Sequence, residues 1–246
     1  LKKFELILQG EYSPITKTII EEYLKLPFVE RIILSTYEAG ICYDVPNEVE
    51  LVLNDVVEPR GTGNRNLQIN TSRNGLALTQ GEYCVKMRTD QLIRSMDMMY
   101  EYWKKRHEDG KLFVLGMYRA FPYHPRDHVF WGKTEDVKNL FDIPFDPDSE
   151  KNPQQDYRYK TRAETYIGQF YYARFDESIQ EHIDNPTQFT TDFAPRKNEA
   201  LTKDFTIRHK VFAPFPKISL AWPKHGLTEY HYHVGKIFTE YWGEDD

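Results

Sequence analysis

The sequence predicts an α/β fold, a mostly parallel sheet sandwiched by helices, with an irregular C-terminal portion. Three observations predict it. In the first half, short apolar runs alternate with segments whose apolar residues recur at helical spacing. The run Arg31-Ile32-Ile33-Leu34-Ser35-Thr36 is continuously apolar at its centre, as expected of a parallel strand covered on both faces. The run Tyr83-Cys84-Val85-Lys86-Met87-Arg88 leads into Thr89-Asp90 with a helical pattern directly behind it. That arrangement presents an acid at a strand's carboxyl end, where open α/β sheets bind ligands. An acid there, flanked by Arg88, suits a phosphorylated ligand and its metal ion.

Taken in order, residues 4–8 form an apolar strand, residues 11–14 a turn, and residues 18–26 a helix that Pro27 stops. Residues 31–36 and 50–53 are the second and third strands. Residues 54–55 and 59–63 make a turn-rich connection to a helix over 66–78, which Gly75 weakens. The strand to Arg88 follows, then a helix over 91–107 and a strand over 112–118. Beyond about residue 120 the pattern degrades. Residues 127–131 read as a strand and 133–141 as a helix capped near Thr134. Residues 144–159 form a polar, Pro-rich loop with the character of a lid or of a plain connection. A helix over 163–174, an irregular stretch over 184–204 and a strand-like run over 205–212 come next. The last segment, 229–242, carries His231 and His233 ahead of a short apolar stretch. With no repeat, low-complexity tract or clean linker, residues 1–246 read as one domain with halves at 1–120 and 121–246.

Composition narrows the classes. A chain of 246 residues, 40% hydrophobic and 28% charged, buries a substantial core and is not disordered. A net charge of −6 argues against non-specific nucleic-acid binding, which needs a basic face. No apolar run approaches the roughly 20 residues that span a bilayer, and Leu1-Lys2-Lys3 leads into a strand-like run, not a signal peptide. The chain does not begin with Met, so further domains of a longer chain remain open. Cys42 and Cys84 have neither zinc nor disulfide-framework spacing, which fits a reducing cytoplasm. Tyr outnumbers Phe, 17 to 15, and Trp131, Tyr171 and Trp222 are read either as core or as stacking platforms for sugars.

The block Asn66-Leu67-Gln68-Ile69-Asn70-Thr71, then Asn74-Gly75-Leu76, then Lys86-Met87-Arg88-Thr89-Asp90 resembles the WavE-type lipopolysaccharide-synthesis proteins, which look like glycosyltransferases of the GT-A fold. Ile32-Ile33-Leu34-Ser35-Thr36, Asn54-Asp55, Asp127-His128-Val129-Phe130-Trp131-Gly132 with Glu135-Asp136, and Ala163-Glu164-Thr165-Tyr166-Ile167 extend the likeness over the first two-thirds of the chain. The resemblance implies a Rossmann-like sheet binding a nucleotide-sugar, with residues 1–120 as the donor half and 121–246 as the acceptor half. It also implies a carboxylate motif near a divalent metal, Mn²⁺ or Mg²⁺. Here the family's aspartate-any-aspartate motif is replaced by Arg88-Thr89-Asp90, acidic only at its last position. One carboxylate still suffices for Mg²⁺ bridged to a diphosphate; alternatively Arg88 itself supplies the charge.

The candidate donor-binding residues are Gly10, Thr36, Glu38, Arg65, Gln68, Arg73, Arg88 and Asp90. Glycine at position 10 lets a ligand approach the backbone, and the helix after the Gly-Thr-Gly turn offers a phosphate-favouring end. Asp127 and Glu164 are the candidate bases for an acceptor hydroxyl, with the helix dipole as the competing reason for Glu164. Asp90, His231 and His233 are the candidate metal ligands, the histidines falling on one side if that segment is extended. The leading function is transfer of a sugar from a nucleotide-diphosphate sugar to a glycan acceptor in surface polysaccharide or glycoprotein glycan synthesis. A sugar nucleotidyltransferase would want a Gly-rich basic signature where Gln9-Gly10-Glu11-Tyr12 stands, and the P-loop pattern is absent. The alternative from another class is a non-catalytic carbohydrate- or partner-binding protein on an inherited fold.

Overall fold

The computed structural model describes residues 1–37, 44–106, 111–117, 123–147, 163–184, 212–215, 217–222 and 227–233. Seven strands form one sheet. These are β1 (Phe4–Gln9), β2 (Val29–Tyr37), β3 (Val49–Asn54), β4 (Tyr83–Arg88), β6 (Leu112–Val114), β7 (Val129–Lys133) and β8 (Phe212–Pro214), in the order β3-β2-β1-β4-β7-β6-β8. A second sheet, in the order β10-β9-β5, joins β5 (Leu92–Ile93) to β9 (Lys217–Trp222) and β10 (Leu227–His233). The helices are α1 (Pro14–Tyr23), α2 (Arg65–Ala77), α3 (Met96–Arg106), α4 (Thr134–Phe141), α5 (Ala163–Ala173) and α6 (Ser178–Asp184).

The class expected from the sequence is the class observed. The pairs β1–β2, β1–β4, β2–β3 and β6–β8 are parallel. Among the described residues of this seven-stranded sheet, β7 alone runs against its neighbours, β4 and β6. Helices cover both faces. On one, Ile19, Ile20 and Tyr23 of α1 and Met96, Met99, Tyr100 and Trp103 of α3 pack on Phe4, Leu6, Leu8, Val85 and Met87. On the other, Ile69 and Leu76 of α2, Val137, Leu140 and Phe141 of α4 and Ile167, Tyr171 and Tyr172 of α5 pack on Ile7, Ile33, Cys84 and Phe130. Alternation along β1 and β4 therefore sends even and odd residues into two different cores.

Several boundaries differ from the sequence reading, each for a local reason. The first helix starts at Pro14, not at 18. Proline suits the first turn because its missing N–H has no helical partner, and the Ser13 N–H is taken by Thr16 Oγ1 at 3.0 Å. The helix expected directly behind Asp90 begins only at Met96. The intervening Leu92 and Ile93 pair with Ala221 and Leu220, and the Ile93 N–H donates to the Tyr23 hydroxyl at 2.9 Å. The strand expected over 112–118 stops at Val114, with a single bridge from Met117 to Pro125. Trp131 and Tyr171 are core side chains, so neither is a stacking platform. Gly75, read as a weak point of α2, is where the helix approaches the sheet: a Cβ there would stand 2.9 Å from Ile7 and Ser35. Glu38, Cys42 and most of the 144–159 and 184–212 stretches lie outside the described residues.

Candidate active site

The carboxyl ends of β1, β2 and β4 come together where Gln9 registers with both Ser35 and Arg88. Gly10 follows β1 with φ of +134°, a conformation that side chains rarely adopt, and a Cβ on it would lie 2.8 Å from Thr89 Oγ1. The Gly10 N–H donates to the Ser35 carbonyl at 3.2 Å, and Thr89 hydroxyl to the Glu11 carbonyl at 2.7 Å. Thr36, buried at the end of β2, accepts the Tyr12 N–H on Oγ1 at 3.1 Å. These contacts fix the loop after β1 against the end of β4, where the charged residues stand.

Arg88 is the centre of that group. Its Nε and one terminal nitrogen donate to the two oxygens of Asp90, each at 3.0 Å, and its other terminal nitrogen donates to Asp127 Oδ2 at 3.2 Å. Gln68 of α2 donates to the same Asp127 oxygen at 3.1 Å. Both carboxylates are buried, whereas a third of the Arg88 side chain is exposed (33%). Arg88 is thus more exposed than either carboxylate that holds it. Antiparallel β7 explains how Asp127 gets there: because that strand runs backwards, the residues preceding it lie at the carboxyl end of β4.

The electrostatics follow from the contacts. Burial pushes the Asp127 carboxyl up, but Arg88, His128 and Lys86 outweigh it and hold the group at about 2. Burial lowers Arg88, yet its bonds to Asp90 and the charge of Asp127 leave it raised, so it is permanently charged. His128, next to Asp127 in the chain, bonds through Nδ1 to the buried Gln91 amide, whose two atoms lie at 2.7 and 2.9 Å. Burial lowers this imidazole to about 4 against the pull of Asp127, so it is neutral at pH 7. Sequence reasoning passed over Gln91, His128 and Lys86. The lysine had left a signal, a charge inside the otherwise buried run of β4.

The structure brings Gly10, Thr36, Gln68, Arg88, Asp90 and Asp127 to this end of the sheet. It places two other candidates differently. Arg73 donates to the carbonyls of Phe141 and Ile143 and stacks on Phe145, which commits it to holding the end of α4. Arg65 is buried, with its Nε 3.3 Å from Asp146 and its guanidinium over the Tyr166 ring. The Asn66 amide closes the same contact by donating to the Asp146 carbonyl at 2.9 Å and accepting the Asp146 N–H at 2.7 Å. The start of α2 is therefore tied to the chain at 146. Glu164 sits in the first turn of α5, close enough to act on the charge of Lys86. His231 and His233 lie on β10, in register with Ser219 and Lys217 of β9.

The donor set was expected to hold a divalent cation at Asp90. Among the described residues, no three His, Cys, Asp or Glu side chains are arranged to hold a metal ion. Both Asp90 oxygens and one of Asp127 instead accept from Arg88. The guanidinium stands where a cation would bridge two carboxylates, so these donors as arranged do not fit a divalent ion. No helix among the described residues is long and apolar enough to cross a membrane.

No protein-family model and no curated protein matches the chain. Solved structures similar to it include S. aureus TarS, with a TM-score of 0.46 and 12% identity over 85% of this chain and 43% of that one. They also include the 2-C-methyl-D-erythritol 4-phosphate cytidylyltransferase of Francisella tularensis, with a TM-score of 0.39 and 11% identity over 58% of this chain and 77% of that one. HddC from Yersinia pseudotuberculosis gives a TM-score of 0.38 and 17% identity over 62% of this chain and 86% of that one.

Proposed function

We propose that the protein is a glycosyltransferase that takes a sugar from a nucleotide-diphosphate donor and passes it to a hydroxyl of a glycan acceptor in surface-glycan synthesis. The observation that carries this reading is the partly exposed Arg88 side chain, its guanidinium held by Asp90 and Asp127 at the carboxyl end of a central strand. Ligands of open α/β sheets bind at those ends, and a planar guanidinium fork matches phosphate oxygens. The glycine at position 10 lets the Thr89 side chain pack against the end of β1, which holds the loop after β1 beside Arg88.

In the reaction the bond from the sugar's anomeric carbon to the diphosphate breaks, and the acceptor oxygen bonds to that carbon. Negative charge develops on the departing diphosphate, so a pre-positioned cation is the largest single contribution available. Arg88 supplies it. Asp127 is held as too weak a base to take the acceptor's proton at neutral pH; its part is to aim Arg88, with Gln68 fixing the shared oxygen. Glu164 is then the carboxylate assigned to the proton.

A thermal-shift panel of UDP, GDP, ADP and CDP, each with EDTA or with Mg²⁺ or Mn²⁺, tests the reading on wild type, Arg88→Ala and Asp90→Ala. One diphosphate at a hundred times its dissociation constant should add about 2.7 kcal/mol of stability. The shift is expected in EDTA as well as in metal, and lost in Arg88→Ala. A shift that needs metal and disappears in Asp90→Ala would return the phosphate to a cation at Asp90. No shift with any diphosphate would leave a binding module without a nucleotide donor.

A further inference from the structure

The strand that carries Arg88 carries a second cation, for which the chemistry above has no use. Lys86 is fully buried and lies on the same face of β4, two residues further into the sheet. Its Nζ has no hydrogen-bond partner among the described residues. It sits 5.7 Å from the ring centre of Phe130, the residue opposite it on β7, and 5.2 Å from that of Phe141 on α4. The charges acting on it come from Asp127 ahead of β7, Arg88 and Asp90 at the end of β4, and Glu164 on α5.

An amine in this position works against the fold. A buried polar group without a hydrogen bond costs free energy, and apolar residues of similar volume replace buried charges at no loss or at a gain. Methionine would fill the space between two rings. What the amine adds is charge. Asp90, Asp127 and Glu164 set against Arg88 alone leave two negative charges in excess, and a diphosphate approaching that end of the sheet would be repelled. With Lys86 charged, Asp90 and Asp127 are each matched by a cation and the excess falls to the single charge of Glu164.

We propose that Lys86 is a positioning residue of the diphosphate site: its buried ammonium balances the second carboxylate, so that Arg88 can turn from Asp90 toward an anionic ligand. This rests on the nucleotide reading above. Burial lowers the amine to about 8, against the pull of Asp127. The balancing charge is therefore present at pH 7 and lost above about 8. Anion binding and protonation of Lys86 favour one another, and linkage makes the effect reciprocal. Cys84 and Tyr37, each pushed up to about 12 by burial, stay outside that window.

The test uses Lys86→Met with two probes, the nucleoside diphosphate that shifts wild type most and inorganic pyrophosphate. Wild-type affinity should fall at least about fivefold between about pH 7 and 9, and calorimetry in buffers of different ionisation enthalpy should show proton uptake on binding near pH 8. Lys86→Met should melt no lower than wild type, bind about tenfold more weakly at pH 7 and show neither pH dependence nor proton uptake. Unchanged affinity and pH profile in Lys86→Met overturns the proposal. So does absence of proton uptake in wild type, which decides the matter even if the variant fails to fold. Pyrophosphate binding with the expected Lys86 response but no nucleotide binding keeps Lys86 and removes the nucleoside reading. Binding of neither probe overturns both.

Discussion

Arg73 on α2 and Arg88 on β4 show how position decides chemistry. Arg73 is spent on backbone carbonyls, whereas Arg88 is held by two carboxylates in a geometry that leaves part of it exposed. Asp127 is what orients Arg88, and its charge has a measurable signature. Its pKa is about 2 in the fold against an ordinary 3.8, so the ionised form stabilises the protein at neutral pH. That contribution is lost as pH falls from about 4 toward 2. His128 acts in a higher window: unfolded chains protonate it near 6.5 and the fold only near 4, so stability declines as pH falls between those values. Urea midpoints from pH 7 to pH 2.5 should therefore decline in two stages, and Asp127→Asn should remove the lower one. A variant profile that still falls as steeply below pH 4 would show that Asp127 is not held by Arg88. Asp90 and Asp127 were visible in the sequence because acids flanking a buried run are conspicuous. Gln91 and His128 were not, since a buried amide–imidazole pair is joined only by tertiary contact.

The strands β1, β2 and β4 were legible because each is a short, mostly apolar run, and such runs are what a strand between two helical layers requires. The direction of β7 was not, because local periodicity is the same for parallel and antiparallel strands; only the register of Met87 with Val129 settles it. Nor was β5, whose two residues are strand only because β9 returns beside them. Gly75 was misread for a related reason. Helix propensity counts it as a loss of about 1 kcal/mol, whereas the packing requires it. A Cβ at 2.9 Å from both Ile7 and Ser35 would force α2 away from β1 and β2, lifting Gln68 from Asp127. Gly75→Ala should thus destabilise by about 1–3 kcal/mol, the usual range for overpacking, although alanine is the better helix former. Chemical denaturation checks this. A variant as stable as wild type, or more so, would mean that the helix–sheet gap is wider than the contacts indicate.

At the scale of the whole chain, the order of strands answers whether residues 1–120 could stand alone. They supply β1 to β6, and an alternation of strands and helices of that length resembles a complete small α/β unit. Yet β7, from the second half, lies between β4 and β6, and β8 pairs with β6 on its other side. The aromatic packing repeats the interleaving, since Phe4 and Trp103 close on Trp131 with ring centres at 4.7 and 6.1 Å. Cutting at 120 would leave β4 with an unpaired edge in the middle of the sheet and remove α4 and α5 from over Cys84 and Lys86. An unpaired, flat, apolar edge is a template for aggregation. The fragment 1–120 should therefore show no cooperative thermal transition and should aggregate or bind a hydrophobic dye, while the full chain unfolds in one transition with the same midpoint by far-ultraviolet circular dichroism and tryptophan fluorescence. A cooperatively folded 1–120 fragment would mean that the donor side is a domain in its own right. The pairing of Arg88 with Asp127, which spans the cut, would then be a contact between domains.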